Sequence, residues 1–241
     1  MPAHRCKTDR MQPVEPPVEP HGAGHAQVGA DHPARVAAVV LTGGGGTRLG
    51  GTAKHALEVG GRTLLERALD ALTERVEDVV VVGPEVPTRR PVLFTREEPP
   101  GGGPAAGLVA GIGTLERLRG RLPDRVVALA VDMPLVTPAT IDRLLAALDA
   151  PGPDPDRPPE AAVLVDAEGH RQPLCAVYRA AALLAAVPGA RHSTYGLPMR
   201  RLLFGLRLVE VPAREGEAAD VDTWEDLRDL RERVAPPPPE A

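Results

Sequence analysis

The sequence predicts an α/β domain of three layers, with helices on both faces of a mostly parallel central sheet. Three observations lead there. Largely apolar runs such as Val36–Leu41 and Asp78–Val82 lack the polar alternation of a half-exposed strand, so they read as strands buried on both faces. Segments with leucines at helical spacing lie between them, giving a βαβα rhythm. With 241 residues, 43% of them hydrophobic, the chain can bury one core of about 200 residues.

The elements follow in order. Val36–Leu41 is the first strand, and Thr63–Arg75, with leucines at 64, 65, 69 and 72, is a helix. Asp78–Val82 is a second strand. After Pro91–Phe94 and a glycine-proline loop come a helix over Ala105–Arg119 and an apolar strand over Arg125–Val131. Thr137 and Pro138 supply an N-cap and a first-turn proline for a helix running to Leu148. The proline-rich segment Ala150–Pro159 reads as a surface loop. Ala161–Val165 and Pro173–Tyr178 are strands, Arg179–Val187 a helix, and Leu206–Val211 a further strand. Thr223 and Asp226 form a capping box that opens the last helix.

Composition bounds the function. Residues 1–34 are rich in Pro, Gly and His and have little to bury, so they are expected to be disordered, as are residues 233–241 with their run of prolines; residues 35–232 form the domain. The irregular spacing of His4, His21, His25 and His32 suits a solvated tail rather than a metal site. A net charge of −5, with basic residues scattered among acids, excludes the concentrated basic stripe of a nucleic-acid binder. Two cysteines, Cys6 and Cys175, build no disulfide framework, and Cys175 reads as a small buried apolar side chain. No stretch approaches the roughly 20 apolar residues of a membrane span, and no signal-peptide core is present. A cytoplasmic protein without membrane association is expected.

The chemistry begins where the first strand empties into Gly43-Gly44-Gly45-Gly46, followed by Arg48 and Lys54. Successive glycines let several backbone N–H groups crowd one anion, which suits phosphates. Of the 28 basic residues only Lys7 and Lys54 are lysines, and a compact ammonium fits a phosphate as a point charge where a guanidinium is too wide. No register of residues 41–54 satisfies the G-x-G-x-x-G dinucleotide fingerprint, and the P-loop pattern fails because Ala53 precedes Lys54 and His55 follows it. An NAD-linked oxidoreductase and a P-loop NTPase are thereby disfavoured. Asp132 follows an apolar strand, at the carboxyl end where open α/β sheets bind ligands.

Five blocks together resemble the molybdenum cofactor guanylyltransferases, within the nucleotidyltransferase group that includes sugar-nucleotide pyrophosphorylases. They are Leu41 to Lys54, Gly102-Gly103-Pro104-Ala105-Ala106-Gly107, Val131-Asp132-Met133-Pro134, Gln172 to Arg179, and Val221 to Leu227. The resemblance covers about residues 35–232 and implies a Rossmann-like nucleotidyltransferase fold. It implies that Leu41, Thr42, Gly43, Gly44 and Gly45 approach the base and phosphates, and that Arg48 and Lys54 neutralise the phosphates and the charge built in the transition state. It further implies that Asp132 is a magnesium ligand and nucleotide contact. Asp222 is the candidate second ligand, though its position also suits a favourable charge at the helix N-terminus.

Other positions depart from the family pattern or are open. Ala53 stands where relatives carry an acid, and Gly83 where they carry a nucleotide-contacting Asn. The acid ahead of the G-G-P loop is Glu97 or Glu98, of which Glu98 is taken as the nucleotide contact. Gln172, Tyr178, Arg191, Arg200 and Arg201 are candidates for the acceptor side, each with an ordinary structural alternative. His55 and His192 read as packing or surface residues. The implied reaction is magnesium-dependent transfer of GMP from GTP to molybdenum-carrying molybdopterin, releasing pyrophosphate. Molybdoenzymes or their chaperones are the implied protein partners. The rivals are a cytidylyltransferase or another small-phosphate nucleotidyltransferase, and a non-catalytic nucleotide-binding or cofactor-delivery protein.

Overall fold

The computed structural model describes residues 34–43, 52–152, 154, 156–189 and 194–234. The expectations for residues 1–33 and 235–241, for Gly44, Gly45 and Arg48, and for Arg191 and His192 lie outside the described residues, whereas Arg233 and Val234, expected to open the disordered C-terminal tail, belong to the last helix.

One seven-stranded sheet organises the domain. Its strands are β1 (Val36–Leu41), β4 (Val76–Val82), β5 (Leu93–Thr95), β6 (Arg125–Ala130), β7 (Ala161–Val165), β8 (Arg171–Arg179) and β9 (Leu208–Pro212), in the spatial order β5-β4-β1-β6-β8-β7-β9. A separate two-stranded hairpin pairs β2 (Glu58–Val59) with β3 (Arg62–Thr63). All six residues of β1 are buried, and their alternation feeds two cores. Val36, Ala38 and Val40 face one with Leu65, Leu144 and Leu227, while Ala37, Val39 and Leu41 face the other with Leu108, Ile112 and Leu202. The layers are thus helices α1 (Leu64–Asp70), α3 (Pro138–Asp149) and α6 (Trp224–Val234) on one face, and α2 (Pro104–Arg119), α4 (Ala180–Ala185) and α5 (Met199–Phe204) on the other. The expected three-layer α/β/α architecture with a mostly parallel sheet is what the chain adopts.

The exception to parallel pairing is β8, antiparallel to both β6 and β7. Only Asp166–His170 separate β7 from β8, and a parallel crossover needs a dozen residues or more. The helix expected over 63–75 stops at Asp70, although Leu72 beyond it stays in the core. The hairpin and α5 were not anticipated. The hairpin turns on Gly60 and Gly61, both with positive φ (59° and 71°), as a two-residue turn of this hand requires.

Two glycines seat α2 on the sheet. A Cβ at Gly111 would lie 2.5 Å from Val39 Cγ1, and one at Gly107 would lie 3.2 Å from Leu41 Cδ2. The helix therefore approaches β1 closely, and its first turn arrives beside the strand ends. Leu41 pairs with both Val82 and Ala130, so Thr42, Gly83 and Val131 leave the sheet side by side. Among the described residues no helix is long and apolar enough to cross a membrane.

Candidate active site

The carboxyl ends of β1 and β4 open on a cleft of about 500 Å³. Leu41, Thr42 and Gly43 form one wall, Gly83 and Pro84 the end of β4, and Glu97, Gly101 and Gly103 the loop that leads into α2; Lys54 and His55 close it. Much of this lining is glycine backbone, the surface that packs most closely against a flat or anionic ligand.

Lys54 sits in a single 3-10 turn, Lys54–Ala56, pinned by Leu57 N–H donating to the Lys54 carbonyl (3.0 Å). Its ammonium donates to Asp132 Oδ2 at 3.1 Å and to Asp222 Oδ1 at 2.5 Å. Residues separated by 78 and 168 positions in the chain thus meet at one nitrogen. Burial pulls the Lys54 pKa down, but the hydrogen bonds and charges of Asp222 and Asp132 outweigh it and leave it above the ordinary value. Lys54 is fully cationic at neutral pH.

Each carboxylate is held by its own segment. Asp132 follows β6, where Val131 N–H still donates to the Leu41 carbonyl (3.1 Å). The Asp132 carbonyl in turn accepts Val221 N–H at 2.8 Å, which lashes the two acid-bearing segments together. Asp222 precedes α6, and the expected capping box is present: Thr223 N–H donates to Asp226 Oδ2 (2.7 Å) and Asp226 N–H to Thr223 Oγ1 (3.1 Å). Asp226 also takes the Asp222 N–H (3.0 Å). The helix N-terminus is therefore served by Asp226, and the Asp222 carboxylate faces Lys54 instead. Asp132 and Asp222, a pair of hard oxygen donors already converging on one positive charge, fit a divalent ion of the magnesium type.

Other sequence candidates fall differently. Glu97 lines the cleft, with Oε1 accepting Gly101 N–H at 3.1 Å; Glu98 is exposed and lines a neighbouring cavity beside Ala106 and Arg117. Position 83 leaves no room for a side chain, since a Cβ there would lie 1.8 Å from Thr42 Oγ1. Tyr178 is not available to an acceptor: it is wholly buried in β8 and donates to the Pro173 carbonyl at 2.7 Å. Gln172 donates to Asp166 Oδ2 (3.2 Å) in the β7–β8 turn. Arg200 and Arg201 line a separate cavity of about 440 Å³ with Arg171 and Phe204. Cys175 is buried, which pushes its thiol up to about 12, as an inert core residue. His55, read from sequence as a packing or surface residue, contributes to the cleft wall, and burial lowers its pKa. Arg96 also lines the cleft. Neither residue carries a local pattern that marks it.

Comparison with known proteins agrees with this fold. Residues 38–207 match the MobA-like NTP transferase domain. The chain is 31% identical over 149 residues to a molybdenum cofactor guanylyltransferase of Cereibacter sphaeroides, covering 60% of this chain and 69% of that protein. It is 36% identical over 140 residues to a 2-C-methyl-D-erythritol 4-phosphate cytidylyltransferase of Deinococcus radiodurans, covering 56% of each. The chain spans between 31% and 56% of the full length of the first relatives it matches. Among solved structures, the molybdopterin-guanine dinucleotide biosynthesis protein A of Archaeoglobus fulgidus shares the fold with a TM-score of 0.59 at 22% identity, over 81% of this chain and 97% of that one.

Proposed function

The chain belongs to the MobA-like NTP transferase domain family, and from that premise we propose that it transfers GMP from GTP to the phosphate of molybdenum-carrying molybdopterin, with magnesium, in the cytoplasm. The observation that carries the reading is the convergence of Asp132 and Asp222 on the ammonium of Lys54, a residue that lines the glycine-rich cleft.

The residues divide the work. Backbone groups of Gly43 and of the loop through Gly101 and Gly103 pack against the nucleotide, with Gly44, Gly45 and Arg48 completing the phosphate cradle in this proposal. Lys54, which stays charged throughout the physiological range, holds the triphosphate and stabilises charge on the leaving pyrophosphate. Asp132 and Asp222 hold the divalent ion. When bound, that ion supplies Lewis-acid charge stabilisation across the phosphates. An acceptor phosphate oxygen forms the new bond to the α-phosphorus while the bond to the bridging oxygen breaks and pyrophosphate departs. The acceptor is already an anion at neutral pH, so no general base is required, and His55, with its lowered pKa, is neutral there.

Glu97 supports guanine as the base. A carboxylate only accepts hydrogen bonds, which matches the paired N1–H and N2–H₂ donors on the guanine edge. A cytidylyl reading draws support from the Deinococcus relative, and cytosine offers a carboxylate a single amino group. Pyrophosphate release with purified cofactor and each of GTP, CTP, ATP and UTP tests the proposal. Release with GTP above the other three supports it; release with CTP alone assigns the cytidylyl reaction, and nucleotide binding without release assigns a delivery role.

A further inference from the structure

Glu217 lies in the loop between β9 and α6, five residues before Asp222, and its side chain is 8% exposed. A buried carboxylate is costly unless its lone pairs are taken, and here they are. Oε1 accepts from Thr140 Oγ1 and Arg143 Nη1, both at 2.8 Å. Oε2 accepts from Arg143 Nη2 and from Arg214 N–H, both at 2.7 Å. Arg143 thus grips the carboxylate with both arms, a geometry that fixes position as well as charge.

The donors show what is being fixed. Thr140 and Arg143 belong to α3, the helix that follows directly from the Asp132 segment, and Thr140 is built into its N-terminal capping box with Thr137. Arg143 also reaches the Pro212 carbonyl (3.3 Å) at the end of β9. Beyond Glu217 the loop is stitched by Ala219 N–H to the Gly216 carbonyl (3.0 Å) and by Val221 N–H to the Asp132 carbonyl (2.8 Å). Gly216 packs so closely on Leu135 that a Cβ would lie 3.2 Å from its Cδ1. The segment that leads into Asp222 is therefore held at two points, at Glu217 to α3 and at Val221 to the Asp132 carbonyl.

We propose that Glu217 is a positioning residue that sets the separation of Asp132 and Asp222 through α3, and with it the affinity for a divalent ion. Glu217 lies outside the cleft lining and acts only through Asp222. The inference rests on the reading that these two aspartates hold the ion.

Mn²⁺ binding to the nucleotide-free protein, followed by electron paramagnetic resonance, tests it alongside the Mg²⁺ activation constant and the nucleotide KM. Loss of a direct partner of a metal ligand weakens metal affinity roughly 10-fold or more, and Glu217 acts one step further out, so Glu217→Gln is expected to raise the Mn²⁺ Kd and the Mg²⁺ activation constant by up to about 10-fold while the nucleotide KM moves less than about twofold. Thr140→Val, which leaves the arginine clamp intact, should show a smaller shift in the same direction, and Thr140→Ser should restore wild-type values. If Glu217→Gln does not fold, Thr140→Val against Thr140→Ser carries the test alone. Variants that lose thermal stability yet keep Mn²⁺ affinity would overturn the proposal and leave Glu217 a purely structural residue. Asp132→Asn and Asp222→Asn proteins that bind Mn²⁺ as wild type does would instead overturn the metal reading itself, and the proposal with it.

Discussion

Replacing Gly83 with alanine tests how tightly the ends of β1 and β4 are fitted at the cleft. A Cβ at this position would lie 1.8 Å from Thr42 Oγ1 and 3.1 Å from Thr42 Cβ. Thr42 is buried and its hydroxyl donates to the Val82 carbonyl at 3.0 Å. To admit the methyl group, Thr42 must rotate and surrender that bond, or the strand ends must part. A lost buried hydrogen bond and the overpacking of a filled site together predict a destabilisation of about 2–4 kcal/mol, or a fall of roughly 5–15 °C in Tm for a domain of this size. Urea denaturation measures it, with an unchanged m value marking a native-state effect. The decisive comparison is the cycle with Thr42→Gly, which removes the three atoms nearest to where the methyl would sit. In that background Gly83→Ala should keep only the backbone cost of a side chain at φ 157°, about 1 kcal/mol or more, so the two changes couple by about 1–3 kcal/mol. A Gly83→Ala protein within about 0.5 kcal/mol of wild type, or two changes that simply add, would refute the steric argument. The same contact accounts for the absence of the family's Asn: Thr42 already fills that space.

Three further expectations concern charge. Lys54→Ala should lower pyrophosphate release by about 10²-fold or more, the usual effect of removing one donor to developing charge, while Tm, read by differential scanning fluorimetry, stays within a few degrees of wild type. Glu217 titrates at about 2 against an ordinary 4.5, held down chiefly by Arg143. Because the folded pKa is depressed, its contribution, about 3 kcal/mol from that shift, is present above pH 4.5 and fades as pH falls toward 2; the stability gap between wild type and Glu217→Gln should close over that window in acid denaturation. Glu97→Gln should narrow the preference for GTP over the other nucleotides by roughly tenfold in calorimetric titration, with affinity for pyrophosphate unchanged.

Much of the fold was legible because its signals are local. The apolar runs of β1 and β7 have the same limits in sequence and structure, and the caps of α3 and α6 are those that Thr137-Pro138 and Thr223–Asp226 announce. Strand direction was less legible, because an apolar run buried on both faces carries no sign of which way it pairs; the brevity of the Asp166–His170 turn is what reverses β8. The same double burial explains Tyr178, whose family block reads as acceptor-facing while its position in β8 puts it in the core. In the site, Lys54 and Asp132 were each identifiable, but their meeting with Asp222 depends on a chain separation that no local pattern encodes. Glu217 was invisible for a related reason. Arg214-Glu215-Gly216-Glu217 reads as a solvated loop, and only Arg143, 74 positions away, turns its last residue inward.

The central claim is that Lys54, Asp132 and Asp222 converge on one metal-bound triphosphate. A crystal structure of the protein with a non-hydrolysable GTP analogue and Mn²⁺, read by its anomalous signal, tests it most directly. The account predicts one strong peak about 2.1 Å from oxygens of both Asp132 and Asp222, with the Lys54 ammonium about 2.8 Å from a phosphate oxygen. A peak held by other side chains, or a nucleotide bound out of reach of Lys54, would contradict it.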